Sequence, residues 1–230
     1  MRVIIFGATG MVGRGTLIEC LDNLQIDSVL VVGRRSAGVR HPKVTELLHQ
    51  DFFDYSGVEH RFADCDACFF CLGVSAAGRS EALYSHLTYD LTLAAAQSMV
   101  RAAPGRLVFC YVSGEGTDSS EHGRAMWARV KGKTENALLR LPFKAAYMLR
   151  PAFIQPQRGV RSSTPLYQLL YTVLGPLYPL WRLVFPRYVT TTVSLGRALI
   201  YLATHGYEKP ILHTVDINAV AALEGSRDRK

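Results

Sequence analysis

The sequence predicts an α/β protein built on a doubly wound, mainly parallel sheet. Three observations carry this. Short apolar runs alternate with helix-length amphipathic segments as far as residue 150. The first run, Val3–Phe6, breaks into Gly7-Ala-Thr-Gly10-Met-Val-Gly13, a glycine triplet between strand and helix. With 49% hydrophobic and 20% charged residues in 230, the chain can fill a full core.

The elements follow in order. Val3–Phe6 (VIIF) is a buried strand ended by glycine. Met11–Asn23 has helical apolar spacing, and Ser28–Val32 (SVLVV) is a second strand stopped by Gly33. Arg34–Lys43 is polar, contains Gly38 and Pro42, and is short for a crossover helix, so that helix is reduced or absent. Val44–His49 is the third strand and Ala67–Leu72 (ACFFCL) the fourth. Glu81–Ala103 reads as one long helix, Arg106–Val112 as strand five, His122–Leu141 as a helix and Lys144–Leu149 as strand six. After Pro151 the rhythm changes. Arg150–Pro165 is loop-like, Leu166–Phe185 is apolar with Pro176 and Pro179 inside, Ser194–Thr204 is helical, and Ile211–Ile217 is a late strand. The expected division is a dinucleotide-binding domain over 1–150 and a small C-terminal substrate cap over 151–230, with a disordered tail Gly225–Lys230.

The net charge of +7 and pI near 9.3 suit an anionic ligand or an anionic membrane surface. The Arg and Lys residues are dispersed, without a dense basic run interleaved with aromatics, so nucleic acid is not an expected partner. Five cysteines and no signal-like opening point to free thiols and a cytoplasmic location. Cys65, Cys68 and Cys71 have metal-like spacing, but Cys68 and Cys71 sit an odd number of positions apart on a strand and face opposite ways. They read as small buried hydrophobes, and no metal is expected. A serine hydrolase would need Gly-x-Ser-x-Gly, and Tyr111-Val-Ser-Gly-Glu lacks the leading glycine. Leu166–Phe185 reads as pocket lining or an oligomer contact. Peripheral membrane docking, helped by Arg158, Arg161, Arg182 and Arg187, is the alternative, and the oligomeric state stays open.

The glycine triplet suits a pyrophosphate. Gly7 permits the tight turn, Gly10 lets the anion approach, and Gly13 lets the helix pack on the strand. The anion would lie on the amides around Thr9, Gly10, Met11, Val12 and Gly13 at the helix N-terminus. The second strand ends in Gly33-Arg34-Arg35, with no carboxylate for ribose hydroxyls. Two guanidiniums suit a 2′-phosphate, so NADP(H) is expected over NAD. Arg14 is a further phosphate candidate, and Asp51 stands where it could meet an adenine amino group.

With these residues placed, the chain resembles the short-chain dehydrogenase/reductase superfamily in its atypical or extended branch. The likeness is to small NAD(P)-binding proteins similar to the HIV Tat-interacting protein and to nucleoside-diphosphate-sugar epimerase-like proteins. GATGMVG fits the branch's glycine loop. Phe70-Cys-Leu72-Gly73 resembles the segment that runs beside the cofactor, and Arg150-Pro151 the Arg-Pro that leads to the substrate region. The resemblance implies a Rossmann-type sheet of about seven strands, a nicotinamide cofactor and a C-terminal substrate region. It also implies a serine after strand five and a Tyr-x-x-x-Lys on the next helix. Ser113 and Lys131 match as the oxygen-orienting serine and the ribose-holding lysine, but Trp127 occupies the tyrosine position. An indole N–H only donates and does not titrate usefully, so Trp127 cannot transfer the proton. Tyr84, Tyr89, Tyr111 and His122 are the other candidates for that task. The expected activity is oxidoreduction of a small, apolar carbonyl or alcohol. The alternatives are a non-catalytic NADP(H)-binding sensor or scaffold and a sugar-nucleotide epimerase.

Overall fold

A computed structural model describes residues 1–160 and 187–227. Strands β1 (Arg2–Phe6), β2 (Ser28–Gly33), β3 (Val44–Leu48), β4 (Ala67–Phe70), β5 (Val108–Val112) and β6 (Ala145–Arg150) lie in one sheet with the late strand β9 (Ile211–His213). The order is β3-β2-β1-β4-β5-β6-β9, and every pairing is parallel. The chain reverses direction across the sheet between β1 and β4. In open α/β sheets the crevice at such a switch point is where ligands bind.

Alternation along the strands builds two cores. Val3 and Ile5 face helices α1 (Met11–Asp22), α5 (Thr192–His205) and α6 (Thr214–Arg227), with Leu17, Cys20, Leu195, Leu199, Ile217 and Val220 packed between. Ile4 and Phe6 face α3 (Leu91–Ala102) and α4 (Met126–Leu139). On that side Phe6, Phe70, Phe109 and Phe143 form a row of stacked rings 5.0–5.9 Å apart. Fully burying one such side chain contributes roughly 1.5–3 kcal/mol.

Several expected boundaries move for physical reasons. The 81–103 helix is three joined pieces, α2 (Glu81–Ser85), a π-helical turn (His86–Asp90) and α3. Helix α4 begins at Met126 rather than His122 because the Asp118 carboxylate collects the amides of Ser120 and Gly123 and holds 118–123 as a turn. The late strand stops at His213. Asp216, in the first turn of α6, accepts the His213 N–H and starts a helix where Ile211–Ile217 reads as extended. That helix includes Gly225–Arg227, so this part of the expected disordered tail is helical. Arg34–Lys43 contains no helix, as its composition predicts.

Residues after 150 join the main sandwich. β9 pairs with β6, and α5 packs along α1 and α6. Gly15 and Gly196 allow the α1–α5 approach: a Cβ on Gly15 would lie 2.6 Å from Thr192 Cβ. Glu19 of α1 binds Arg158 and Arg197 across the same seam. The boundary drawn at residue 150 therefore does not divide this layer. Arg158, expected to help at a membrane, is paired with Glu19 and Asp22. A small parallel pair, β7 (Phe153–Gln155) with β8 (Val189–Thr191), lies outside the main sheet and was not expected. The apolar stretch Leu166–Phe185, with Arg161 and Arg182, lies outside the described residues. Among the described residues no helix is long and apolar enough to cross a membrane.

Candidate functional site

The glycine loop is built as its spacing predicts. Gly7 has φ +80°, and a Cβ there would lie 2.8 Å from the Cys71 carbonyl carbon and oxygen. A Cβ on Gly13 would lie 2.2 Å from Gly7 O, so only glycine lets α1 start against the turn. The Gly10 amide donates to Gly7 O at 2.9 Å and closes the loop. No side chain caps α1 and no acidic residue sits in its first turn, which leaves an electropositive helix start.

Beside it is a cleft lined by Gly7, Thr9, Val32, Gly33, Arg34, Arg35, Phe52 and Leu72. Both arginines are exposed, and no ion pair among the described residues engages them. Arg14 is not free in the same way: its guanidinium donates to Ala37 O at 2.8 Å. Asp51 is exposed after β3, with one oxygen accepting the Phe53 N–H at 2.9 Å. Leu72 N lies 2.9 Å from where a Gly7 Cβ would stand, and Gly73 borders open space. The loop after β4 thus runs directly beside the glycine turn.

Further along the sheet edge, α4 brings Trp127 and Lys131 over the loop that follows β5. A Cβ on Gly116 would come within 3.2 Å of the Trp127 ring, so the indole lies on that glycine. One turn on, the Lys131 ammonium donates to Ser113 O. Burial pushes the Lys131 pKa down to about 8, and nearby Glu135 partly opposes the shift.

Ser113 is not arranged as the resemblance implies. Its hydroxyl donates to Glu135 Oε1 at 2.5 Å, with Leu149 O the longer alternative at 3.1 Å. A hydroxyl has one proton to give. Glu135 has no exposed side-chain surface and is ion-paired to Arg150, whose guanidinium also donates to Ser119 Oγ at 2.6 Å. Arg150 is thus tied into the protein at the end of β6. Glu135 escaped the sequence reading, although it stands four residues after Lys131 on the same helix and so shares its face.

The other proton-transfer candidates have surroundings of their own. Tyr84 and Tyr111 are buried, and burial pushes both phenols up. The Tyr89 ring receives the Lys133 ammonium 4.3 Å from its centroid, and His122 is exposed. Cys68 belongs to the α3/α4 core while Cys71 packs against the opposite one, so their thiols diverge.

Comparison with known proteins agrees with this architecture. An oxidoreductase of the short-chain dehydrogenase/reductase family from Burkholderia thailandensis superposes with a TM-score of 0.65 at 13% identity, covering 98% of this chain and 97% of that one. This chain has the short-chain dehydrogenase/reductase fold. The same fold is seen in the UDP-glucose 4-epimerase of Thermotoga maritima, with a TM-score of 0.62 and 14% identity over 98% of this chain and 83% of that one. The PhqB reductase domain from Penicillium fellutanum gives a TM-score of 0.66 at 14% identity over 92% of this chain, which spans 65% of that domain. These identities establish fold alone. No family model matches the chain. Among curated proteins, "Protein FMP52, mitochondrial" of Meyerozyma guilliermondii is 25% identical over 205 residues, 88% of this chain and 85% of that protein. Similar FMP52 proteins from Emericella nidulans, Scheffersomyces stipitis and Aspergillus oryzae also carry mitochondrial names. The cytoplasmic expectation is corrected by these relatives, whose names place them in mitochondria. Free cysteines are compatible with more than one reducing compartment and could not make that distinction.

Proposed function

We propose that this chain binds a nicotinamide dinucleotide at the switch point of its sheet and prefers NADP(H). The observation that carries the reading is the uncapped start of α1 beside a cleft rimmed by Arg34 and Arg35, both exposed and without an ion pair among the described residues. The residues present fit the group. Gly10 through Gly13 would hold the pyrophosphate, Arg34 and Arg35 the 2′-phosphate, and Asp51 the adenine edge. Leu72 and Gly73 would flank the cofactor, and Lys131 would hold the nicotinamide ribose. When bound, the cofactor supplies a hydride donor or acceptor at its C4. In support, a solved structure of this fold from Bordetella bronchiseptica is described in complex with NAD+.

As an oxidoreductase the chain would act on a small apolar carbonyl or alcohol. Lys131 would fix the ribose, and Ser113 would shape the pocket floor. Only by accepting on its lone pairs, or by leaving Glu135, could Ser113 meet a substrate oxygen. A second reading, a non-catalytic NADP(H)-binding sensor or scaffold, is favoured by two facts together. Trp127 replaces the titrating phenol, and the Ser113 proton is committed to Glu135. The epimerase reading needs the same missing phenol and is the weakest of the three.

Titration of the purified protein with NADPH and NADH tests the core reading, and binding of neither would end it. Nicotinamide absorbance is then followed against aldehydes, ketones and quinones, for wild type and Trp127→Tyr. Turnover by wild type supports the oxidoreductase. NADPH binding without turnover, with turnover appearing in Trp127→Tyr, supports the non-catalytic module.

A further inference from the structure

The segment after β2 crosses beside α1 where a crossover helix would ordinarily pack, and it is fastened at several points. Arg34 O accepts from Gln50 Nε2 at 2.9 Å. Three residues on, the Ala37 N–H donates to Glu46 Oε1 at 2.7 Å, and Ala37 O accepts from the Arg14 guanidinium at 2.8 Å. At the far end Lys43 Nζ donates to Leu21 O and Asn23 O, at 3.1 and 2.8 Å, at the C-terminus of α1. The four residues Arg34–Ala37, which carry both exposed guanidiniums, are therefore held at each end by side chains from β3, from the loop after it and from α1.

One of these fastenings looks misplaced. The Glu46 carboxylate on β3 binds the Ala37 N–H, three residues after Arg34, in the segment that carries the arginines of the proposed 2′-phosphate site. By charge alone it weakens phosphate binding. Its hydrogen bond does the opposite, because a fixed backbone spares the cost of ordering the loop when ligand arrives. A charge-assisted bond to a backbone N–H is among the stronger single tethers available.

We propose that Glu46, together with Arg14, is a positioning residue for dinucleotide specificity. By holding Ala37 from both sides they fix the backbone from which Arg34 and Arg35 reach a 2′-phosphate. This rests on the dinucleotide reading above. The two physical effects of Glu46 have opposite signs, which makes the inference testable without knowing a substrate.

The test compares NADPH and NADH affinity in wild type, Glu46→Ala and Glu46→Gln, by calorimetric titration. Glutamine keeps an acceptor oxygen for the Ala37 N–H and removes the charge. The expected result is a loss of about tenfold in NADPH affinity for Glu46→Ala, with NADH changed by less than about twofold. Glu46→Gln is expected to bind NADPH within about threefold of wild type. NADH binding by Glu46→Ala shows that the variant is folded. NADPH binding that is unchanged or tighter in Glu46→Ala overturns the proposal, since charge then dominates. So does a parallel loss of both cofactors, or equal affinity for both in wild type. Failure of wild type to bind either cofactor overturns the dinucleotide reading itself.

Discussion

Removing the Glu135 carboxylate is expected to be the most damaging single change near the site. Glu135 is fully buried, and its partner Arg150 has 9% side-chain exposure. Glu135→Ala would leave a guanidinium in the protein with only Ser119 Oγ as a neutral acceptor, and would strip Ser113 of its shorter hydrogen bond. Breaking a buried pair from one side costs about 3–5 kcal/mol, because the remaining charge is uncompensated. The unfolding entropy of a chain of 230 residues is about 0.5 kcal/mol/K near the midpoint, so the expected fall in Tm is about 6–10 °C. Denaturant unfolding and calorimetry measure it. The double change Glu135→Leu with Arg150→Met removes both charges and should cost less than Glu135→Ala alone. A loss below about 1 kcal/mol in the single variant, or a double variant worse than the single, would refute the account of this pair as a coupled buried unit.

Alkaline pH should expose two opposing effects. Burial pushes the thiols of Cys20, Cys65, Cys68, Cys71 and Cys110 and the phenols of Tyr55 and Tyr111 up. The unfolded chain loses those protons first, so stability present at pH 8 is lost as pH rises above about 9. Lys131, held down to about 8 in the fold, works the other way. The unfolded chain keeps its proton to about 10.4, so between about 8 and 10 this group adds stability as pH rises, by at most about 3 kcal/mol. Lys131→Met should therefore be more stable than wild type near pH 7 and lose that advantage by pH 10, as urea unfolding at the two pH values would show. Gly13→Ala forces a Cβ to within 2.2 Å of Gly7 O. It should cost about 1–3 kcal/mol and abolish NADPH binding in a titration. Lys43→Met frees the carbonyls of Leu21 and Asn23 at the end of α1 and should cost about 1–2 kcal/mol by thermal unfolding.

The sequence by itself determined whatever is local. Strands β1, β2, β4, β5 and β6 announce themselves as apolar runs bounded by turn residues, and the glycine triplet fixes a strand–turn–helix in which Gly7 and Gly13 have no room for a Cβ. The i,i+4 spacing puts Trp127 and Lys131 on one helical face, and they do meet the same loop. What only the tertiary structure decided depends on residues far apart in the chain. Ile211–Ile217 reads as a strand from composition, yet an acidic residue placed to accept the His213 N–H turns most of it into a helix that finishes the α1-side core. Ser113 and Lys131 were legible as a pair of residue types. That the serine proton goes to Glu135, 22 positions away, and that Glu135 in turn holds Arg150, was not. Local pattern records which way a backbone runs and which face is apolar. The partner that satisfies a buried hydroxyl or charge is set by the packing of separate elements, and no spacing rule within one element encodes it.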